Sequence, residues 1–275
     1  MNLFVSDLDG TLLDKNAELP VYSLNILNDL INSGMNFTVA TARTYATVKQ
    51  ILCGLKLNIP IILMNGVLIR DVRKDEYVFS AVIEKSVSDN IISTLHKHGL
   101  YAFMYTVTDG EMMTYYEKIA TSAMREFCEE RKKRYSKPFQ QVDNLTQANE
   151  NSVYFSLLNS KENLQPLFND LKTLCGVKSV FYRDVYSDDL WYLEVFSSAA
   201  SKKNAVNFLR KTYGFDYIVC FGDNLNDIPL FEASDKRYAV NNAHPDLKTL
   251  ADGIIGSNIE NGVARFLKTN FRKDI

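Results

Sequence analysis

Two carboxylates near the start of the chain are the first residues whose types and spacing suggest chemistry. Asp7 and Asp9 follow a short apolar run, residues 3–6, and precede Gly10. Such a run is typical of a buried parallel strand, and the glycine suits the turn after it. Because the carboxyl ends of strands form the ligand crevice in open α/β sheets, acids at this position can act on a ligand. Taken alone, the segment is better explained as a polar turn that closes a strand.

More polar residues occur where other apolar runs end. Thr41 follows residues 36–40, and Asp223 and Asp227 follow residues 217–221. The three runs are predicted to be parallel strands, so their carboxyl ends should meet at one edge of a sheet. The chain is therefore expected to collect a hydroxyl and several carboxylates in one crevice.

A crevice with several acids needs positive charge. Two unit charges about 4 Å apart repel by roughly 4 kcal/mol at an effective dielectric constant of about 20. Lys202 supplies one cation, which is too little for several carboxylates beside a phosphate dianion. Oxygen ligands such as Asp7, Asp223 and a backbone carbonyl suit Mg²⁺, which also binds substrate phosphates. These residues predict a Mg²⁺ site that handles phosphate.

The elements that must position these residues alternate at both ends of the chain. Predicted strands at residues 3–6, 36–40 and 59–64 alternate with helices, and the alternation returns near residue 201, before the strand at 217–221. This order predicts an α/β fold with a parallel sheet and right-handed crossovers.

The middle of the chain has a different pattern. Apolar runs at 101–105 and 111–116 flank Asp109-Gly110, as in a hairpin. A helix at 117–134, a strand at 153–157, a helix at 164–174 and strands at 177–183 and 191–196 complete a predicted α+β block. We predict a core domain in two parts, 1–82 and 196–275, with an inserted α+β domain at 83–195.

Composition excludes several classes of protein. The chain has 275 residues, of which 46% are hydrophobic, and a net charge of −2. A dedicated nucleic-acid binder would carry a basic excess. The four cysteines have no metal-ligand spacing, and neither a signal sequence nor a membrane span is evident. We expect a cytoplasmic protein without nucleic-acid or membrane partners; the sequence leaves its oligomeric state open and is compatible with a monomer.

Taken together, the motifs resemble those of the haloacid dehalogenase-like superfamily, specifically its Cof-type phosphatases. The resemblance spans the whole chain, and the combination is far more specific than any single motif. The matching segments are Asp7-Leu8-Asp9-Gly10-Thr11-Leu12, Thr41, Asn65-Gly66, Lys202, Gly222-Asp223 with Asn226-Asp227, Asn242-Ala243-His244-Pro245, Ala251-Asp252 and Asn261-Gly262-Val263.

The resemblance implies a Rossmann-like core with a large inserted α+β cap, and it implies roles for the residues. Asp7 would attack phosphorus to form an aspartyl-phosphate, while Asp9 would protonate the leaving oxygen and then activate water. Thr41 and Lys202 would hold the phosphoryl oxygens. The other implied residues are Arg43, Asn65, Gly66 and Asn242 for substrate, and Asp7, Asp9 through its carbonyl, Asp223, Asn226 and Asp227 for Mg²⁺, the last two by orienting its ligands.

Two segments depart from the family pattern. The family usually has Thr-Gly-Arg where this chain has Ala42 between Thr41 and Arg43. Around the lysine motif the chain has two adjacent lysines, Lys202 and Lys203. We choose Lys202 because its spacing from the preceding serine matches the family.

The resemblance favours a Mg²⁺-dependent phosphatase of small phosphorylated metabolites, such as sugar phosphates, pyridoxal phosphate or flavin mononucleotide. Two alternatives stay open. A phosphomutase of hexose phosphates would use the same aspartyl-phosphate, and a non-catalytic phosphate-binding regulator would keep only the binding groups. The sequence names neither the physiological substrate nor the resting position of the cap.

Overall fold

The computed structural model describes residues 1–108, 110–184, 187 and 189–271. The chain divides into two compact units, which we call the core unit, Met1–Phe79 with Ser201–Ile275, and the inserted unit, Ser80–Ala200. The predicted cap, 83–195, falls inside the inserted unit, which extends a few residues beyond it at each end. No helix in the described part of the chain is long and apolar enough to cross a membrane.

Strands and helices alternate through the first part of the core unit. In chain order they are β1 (Asn2–Ser6), α1 (Val21–Asn32), β2 (Asn36–Val39), α2 (Tyr45–Ile51), β3 (Ile61–Leu63), β4 (Leu68–Asp71) and β5 (Glu76–Ser80). The inserted unit follows with α3 (Lys85–Lys97), β6 (Phe103–Thr108), β7 (Glu111–Tyr116), α4 (Ser122–Tyr135), β8 (Phe139–Gln141), β9 (Ser152–Asn159), α5 (Lys161–Leu171), β10 (Val177–Arg183) and β11 (Trp191–Ser197). The core unit then continues with α6 (Lys202–Tyr213), β12 (Tyr217–Gly222), α7 (Ile228–Glu232), β13 (Lys236–Val240), α8 (Pro245–Thr249), β14 (Gly253–Ile255) and α9 (Gly262–Asn270).

The core sheet is parallel and has the order β14-β13-β12-β1-β2. Val5 of β1 is registered with Cys220 of β12 on one side and Thr38 of β2 on the other. From β1 the chain moves to β2, whereas from β12 it moves to β13 in the opposite direction. The boundary between β1 and β12 is therefore the point where strand order reverses, which is where open α/β sheets form their ligand crevice.

The predicted α/β fold with an inserted α+β block is confirmed, but the third predicted strand differs. We predicted residues 59–64 as a strand of the parallel sheet. The observed β3 is shorter, is joined to β2 by an isolated parallel bridge between Ala40 and Ile62, and pairs antiparallel with β4. Antiparallel structure thus begins at Leu68. At the end of β4, Asp71 accepts the backbone N–H groups of Arg73 and Lys74 in the turn that leads into β5.

The inserted unit contains a mixed sheet of order β10-β11-β9-β6-β7-β8. The predicted hairpin is confirmed as the antiparallel pair β6–β7, although Asp109 of its turn lies outside the described residues. The predicted helix at 117–134 begins only at Ser122, where the hydroxyl of Thr121 accepts the Met124 N–H. The predicted helix at 164–174 runs instead from Lys161 to Leu171. Helices α3 and α5 cover one face of this sheet and enclose an apolar cluster with it.

Candidate active site

The site lies at the carboxyl ends of the core strands. Asp7 follows β1, and its backbone N–H donates to the Phe221 carbonyl at 3.0 Å, which continues the pairing of β1 with β12. Thr41 follows β2 and Asp223 follows β12. Asp7 and Thr41 are buried, with exposed fractions of 4% and 0%. Strand pairing therefore sets the position of the Asp7 carboxylate at the centre of the crevice.

Lys202 bridges two buried carboxylates. Its Nζ donates to Asp7 Oδ1 and to Asp227 Oδ1, both at 2.6 Å. Burial lowers the pKa of Lys202, but the two carboxylates raise it by more, so the pKa lies above its ordinary value and the side chain stays protonated. Lys203 instead points to Glu232 at the surface, at 3.1 Å. The structure thus brings Lys202, and not its neighbour, to Asp7.

Asp227 also organises the loop after β12. Its second oxygen, Oδ2, accepts the backbone N–H groups of Asp223 and Asn224 at 3.0 and 3.2 Å. Asn224 caps the following turn, and with Asp227 it forms a reciprocal capping box. Both oxygens of Asp227 are therefore engaged, one by the lysine and one by the loop that carries Asp223.

The start of α6 is fixed by a close backbone contact. Ser201 caps the helix by accepting the Asn204 N–H, which places Lys202 at its first position. Gly66 has a φ of +95°, and a Cβ there would lie 2.2 Å from the Ser201 carbonyl oxygen. Only glycine fits this approach without displacing one of the two segments.

Asn65 lies beside this contact in a left-handed conformation, with a φ of 53°. Its backbone N–H donates to the Thr41 carbonyl at 2.9 Å, and its side-chain oxygen accepts from the Asn226 amide at 3.4 Å. The loop after β3 is therefore tied both to the loop after β2 and to the loop after β12.

The turn after Asp7 packs directly on Asp223. Gly10 has a φ of +78°, and a Cβ there would lie 2.3 Å from Asp223 Oδ2. Thr11 Oγ1 donates to Asp223 Oδ1 at 3.1 Å, and the Asn242 amide donates to the Gly10 carbonyl at 2.7 Å. Burial, followed by repulsion from Asp227, raises the pKa of Asp223 to about 6.

Asp9 has a different environment from Asp7. Arg43 holds it in a bidentate ion pair, with Nε 2.7 Å from Oδ2 and Nη2 2.5 Å from Oδ1. The Asp9 side chain is 47% exposed, against 6% for Asp7. Ala42 does not have a positive φ. The backbone at this position therefore does not require the glycine that the family usually has there.

The acidic cluster could bind a metal ion. Asp7, Asp223 and Asp227 each offer a carboxylate oxygen, and these atoms lie within 4.8 Å of one another. Three carboxylates meet one lysine here, and burial followed by Asp227 raises the pKa of Asp7 well above its usual range. Hard oxygen donors with an excess of negative charge fit a divalent cation such as Mg²⁺.

The structure thus brings most of the predicted site residues together in the core unit. Thr11 and Asn224 were not among the predicted residues, although Thr11 lies within the first motif. Its hydroxyl could have been recognised as a partner for an acid, but the identity of that acid depends on the pairing of β1 with β12. The signal for Asn224 is its spacing of three residues before Asp227, which is typical of a capping box.

The sequence profile of the haloacid dehalogenase-like hydrolases matches residues 4–267, nearly the whole chain. The chain belongs to this family. As a haloacid dehalogenase-like hydrolase of the Cof type, it is a phosphatase acting on phosphoric monoesters. Its fold also matches the crystal structure of TM0651 from Thermotoga maritima, with a TM-score of 0.79 and 23% identity, over 97% of this chain and 96% of that one.

Two named relatives match this hydrolase over almost the full length of each protein. The chain is 26% identical over 289 residues to the 5-amino-6-(5-phospho-D-ribitylamino)uracil phosphatase YwtE of Bacillus subtilis, covering 97% of each protein. It is 23% identical over 271 residues to the pyridoxal phosphate phosphatase YbhA of Escherichia coli, covering 95% of each.

Proposed function

We propose that this phosphatase is Mg²⁺-dependent and hydrolyses small phosphorylated metabolites through an aspartyl-phosphate on Asp7. The observation that carries this proposal is the buried pair of Asp7 and Lys202 beside Asp223. Lys202 engages only Oδ1 of Asp7, so the other oxygen can act as the nucleophile. Lys202 also lowers the pKa of Asp7, which opposes part of the larger rise that burial and Asp227 cause.

In the first step, the free oxygen of Asp7 forms a bond to phosphorus while the bond from phosphorus to the ester oxygen breaks. Asp9, released from its ion pair with Arg43 and protonated, supplies the proton that the leaving oxygen needs. In the second step, Asp9 takes a proton from water, and that water attacks phosphorus and releases Asp7. Because Asp9 is exposed while Asp7 is buried, the two carboxylates can take these separate roles.

The remaining residues hold the phosphoryl group and the loops around it. Thr41 Oγ1 accepts the Arg43 N–H, which leaves the hydroxyl proton free for a phosphoryl oxygen. Asn65, Gly66 and Arg43 frame the same crevice. Asn242 donates to Gly10 and accepts from the Asn258 N–H at 3.0 Å, so we assign it to positioning the turn that carries Asp9.

Asp7, Asp223 and the carbonyl of Asp9 would hold the Mg²⁺ ion, with Asn226 and Asp227 orienting that set. When bound, the ion offsets the negative charge of the carboxylates and of the phosphate. We assign Asp227 to support of Lys202 and the loop, since its oxygens already accept three hydrogen bonds.

The relatives support a phosphorylated metabolite as substrate. One acts on a phosphorylated ribitylaminouracil and the other on pyridoxal phosphate. We extend this class to the chain, together with sugar phosphates and flavin mononucleotide, and we assign the protein to the cytoplasm.

A screen of phosphorylated metabolites, with phosphate release as the readout, tests the proposal. We expect release from at least one metabolite and from p-nitrophenyl phosphate, and loss of at least 10³-fold in Asp7→Asn, because an amide is a poor nucleophile. Asp29→Asn, an exposed change on α1, is the matched control. Full activity in Asp7→Asn would refute the covalent mechanism. Transfer between two hydroxyls of a hexose phosphate without phosphate release would identify a phosphomutase instead.

A further inference from the structure

One face of the inserted sheet carries an acid among aromatic rings. The face opposite α3 and α5 is partly covered by α4, whose Phe127 ring stacks on Phe103 with centroids 5.1 Å apart. Beyond this contact, β9, β10 and β11 present a group that we call the tyrosine patch. It consists of Tyr154, Tyr182, Tyr192 and Glu194.

Glu194 lies at the centre of the tyrosine patch. The Tyr182 hydroxyl donates to Glu194 Oε1 at 2.9 Å, and Tyr154 is its second hydrogen-bond partner. Burial raises the pKa of Glu194, and these two bonds offset that only in part. Among the described residues, no lysine, arginine or histidine lies within 4.0 Å of its carboxylate, so its partners are neutral hydroxyls. A half-buried carboxylate of this kind is stabilised when a cation approaches it.

The rings around Glu194 provide flat surfaces. Tyr182 and Tyr192 are registered across β10 and β11 and stack with centroids 5.4 Å apart and 9° between their planes. Tyr154 stacks in the same way on Phe196, at 5.5 Å and 5°. The Tyr182 side is open, since this residue is 41% exposed. Aromatic faces attract both planar rings and cations.

Two cations of the inserted unit, Arg131 and Lys137, have other partners than Glu194. Arg131 of α4 lies close enough to influence Tyr105 and Tyr192, but its guanidinium is paired with Glu130 at 2.8 Å and stacks on Phe127. Lys137 lies over the Tyr105 ring, with Nζ 4.2 Å from the centroid. Among the described residues Glu194 therefore has hydroxyl partners but no ion pair.

We propose that the tyrosine patch binds planar aromatic ligands that carry a protonated amine. The ring would stack on the exposed tyrosine surface, and the ammonium would pair with Glu194. This ligand class follows from the chemistry of the patch alone, and it goes beyond the phosphatase function proposed for the core unit.

Binding of two small probes to the full-length protein tests the proposal. Benzylamine is charged at pH 7.5, whereas benzyl alcohol has the same ring with a neutral hydroxyl. We expect benzylamine to bind at least tenfold more tightly in titrations followed by nuclear magnetic resonance, with shifts at the tyrosines of the patch. Equal affinities for the two probes, or shifts located elsewhere, would overturn the proposal.

Substitutions then test whether Glu194 is the negative charge that pairs with benzylamine. Glu194→Gln should abolish the preference for benzylamine, whereas Glu162→Gln, the same change at an exposed position of α5, should keep it. If Glu194→Gln does not fold, Tyr182→Leu tests the site instead, because removal of this exposed ring should lower the affinity for both probes at least fivefold. An unchanged benzylamine preference in Glu194→Gln, or unchanged affinities in Tyr182→Leu, would refute the site. These readouts require no turnover, whereas phosphate release from p-nitrophenyl phosphate by the wild type tests the phosphatase proposal separately.

Discussion

Lys202 donates to Asp7 at 2.6 Å in a contact between two buried groups that are 195 residues apart in the chain. The contact joins the first motif of the core unit to the helix that follows the inserted unit. It neutralises one of three clustered carboxylates and fixes which oxygen of Asp7 stays free. Three expected outcomes follow from this contact and its surroundings, and a fourth concerns Lys137 of the inserted unit.

Replacing Lys202 by methionine should be strongly destabilising. The change leaves Asp7 and Asp227 buried without their cation, and loss of one partner of a buried ion pair costs about 3–5 kcal/mol. We expect this loss in the free energy of unfolding from urea titrations, with activity reduced at least 10³-fold. The Lys203 side chain is 45% exposed, so Lys203→Met should change the free energy of unfolding by less than about 0.5 kcal/mol. Similar stabilities for the two variants would contradict the assignment of Lys202, and not Lys203, to the buried ion pair.

Gly66→Ala should lower both stability and activity. The new methyl group would meet the Ser201 carbonyl in a residue that already has a positive φ, and we expect a cost of about 2–4 kcal/mol. Gly34→Ala is the matched control, because Gly34 has a φ of +99° but no atom within 4 Å of the added Cβ. We expect Gly34→Ala to lower the free energy of unfolding by only about 1 kcal/mol. Equal losses in the two variants would show that φ alone, and not the approach to Ser201, is responsible.

Removal of divalent metal should abolish turnover. We expect a chelator to stop p-nitrophenyl phosphate hydrolysis and added Mg²⁺ to restore it. Binding to the folded state should also raise the free energy of unfolding, by about 2.7 kcal/mol when Mg²⁺ is at 100 times its dissociation constant.

Asp223→Asn should remove most of this stabilisation by Mg²⁺, whereas Asp246→Asn, whose side chain is 76% exposed, should keep it. Metal-independent turnover would refute the role assigned to Asp223. A Mg²⁺ response of wild-type size in Asp223→Asn would place the ion elsewhere.

Lys137 should make stability depend on pH in the alkaline range. Burial, with Arg131 nearby, lowers the pKa of Lys137 to about 7, below the value near 10.4 of an unfolded lysine. Between these values the unfolded chain binds more protons than the folded chain, so stability rises with pH, by up to about 1.4 kcal/mol per unit. Below pH 7 both states are protonated and the destabilisation is complete.

Lys137→Met removes this destabilisation. We expect the variant to be more stable than the wild type at pH 7, with the difference shrinking as pH rises to 9 in paired urea titrations. The comparison cancels other groups that titrate in this range. A difference that is constant with pH would contradict a depressed pKa for Lys137.

Much of the core unit can be predicted from local patterns in the sequence. Apolar runs that end in polar residues identify β1, β2 and β12, because a strand buried on both faces needs a continuous apolar segment. The alternation of strands and helices then predicts the parallel sheet, and the spacing of the motifs predicts the family. By contrast, β4 and β5 were not predicted, because the turn between them depends on hydrogen bonds from backbone N–H groups to the Asp71 side chain.

What the sequence determined by itself was the set of chemical groups: the two acids Asp7 and Asp9, the hydroxyl of Thr41, a lysine near the start of a helix, and Asp223 with Asp227. The tertiary structure decided their partners. It buries Asp7 against Lys202, leaves Asp9 exposed with Arg43, and brings Gly66 against Ser201. Spacing along the chain encodes periodicity within an element, but contacts between distant segments form only when strand order, helix packing and backbone approach are satisfied together in space.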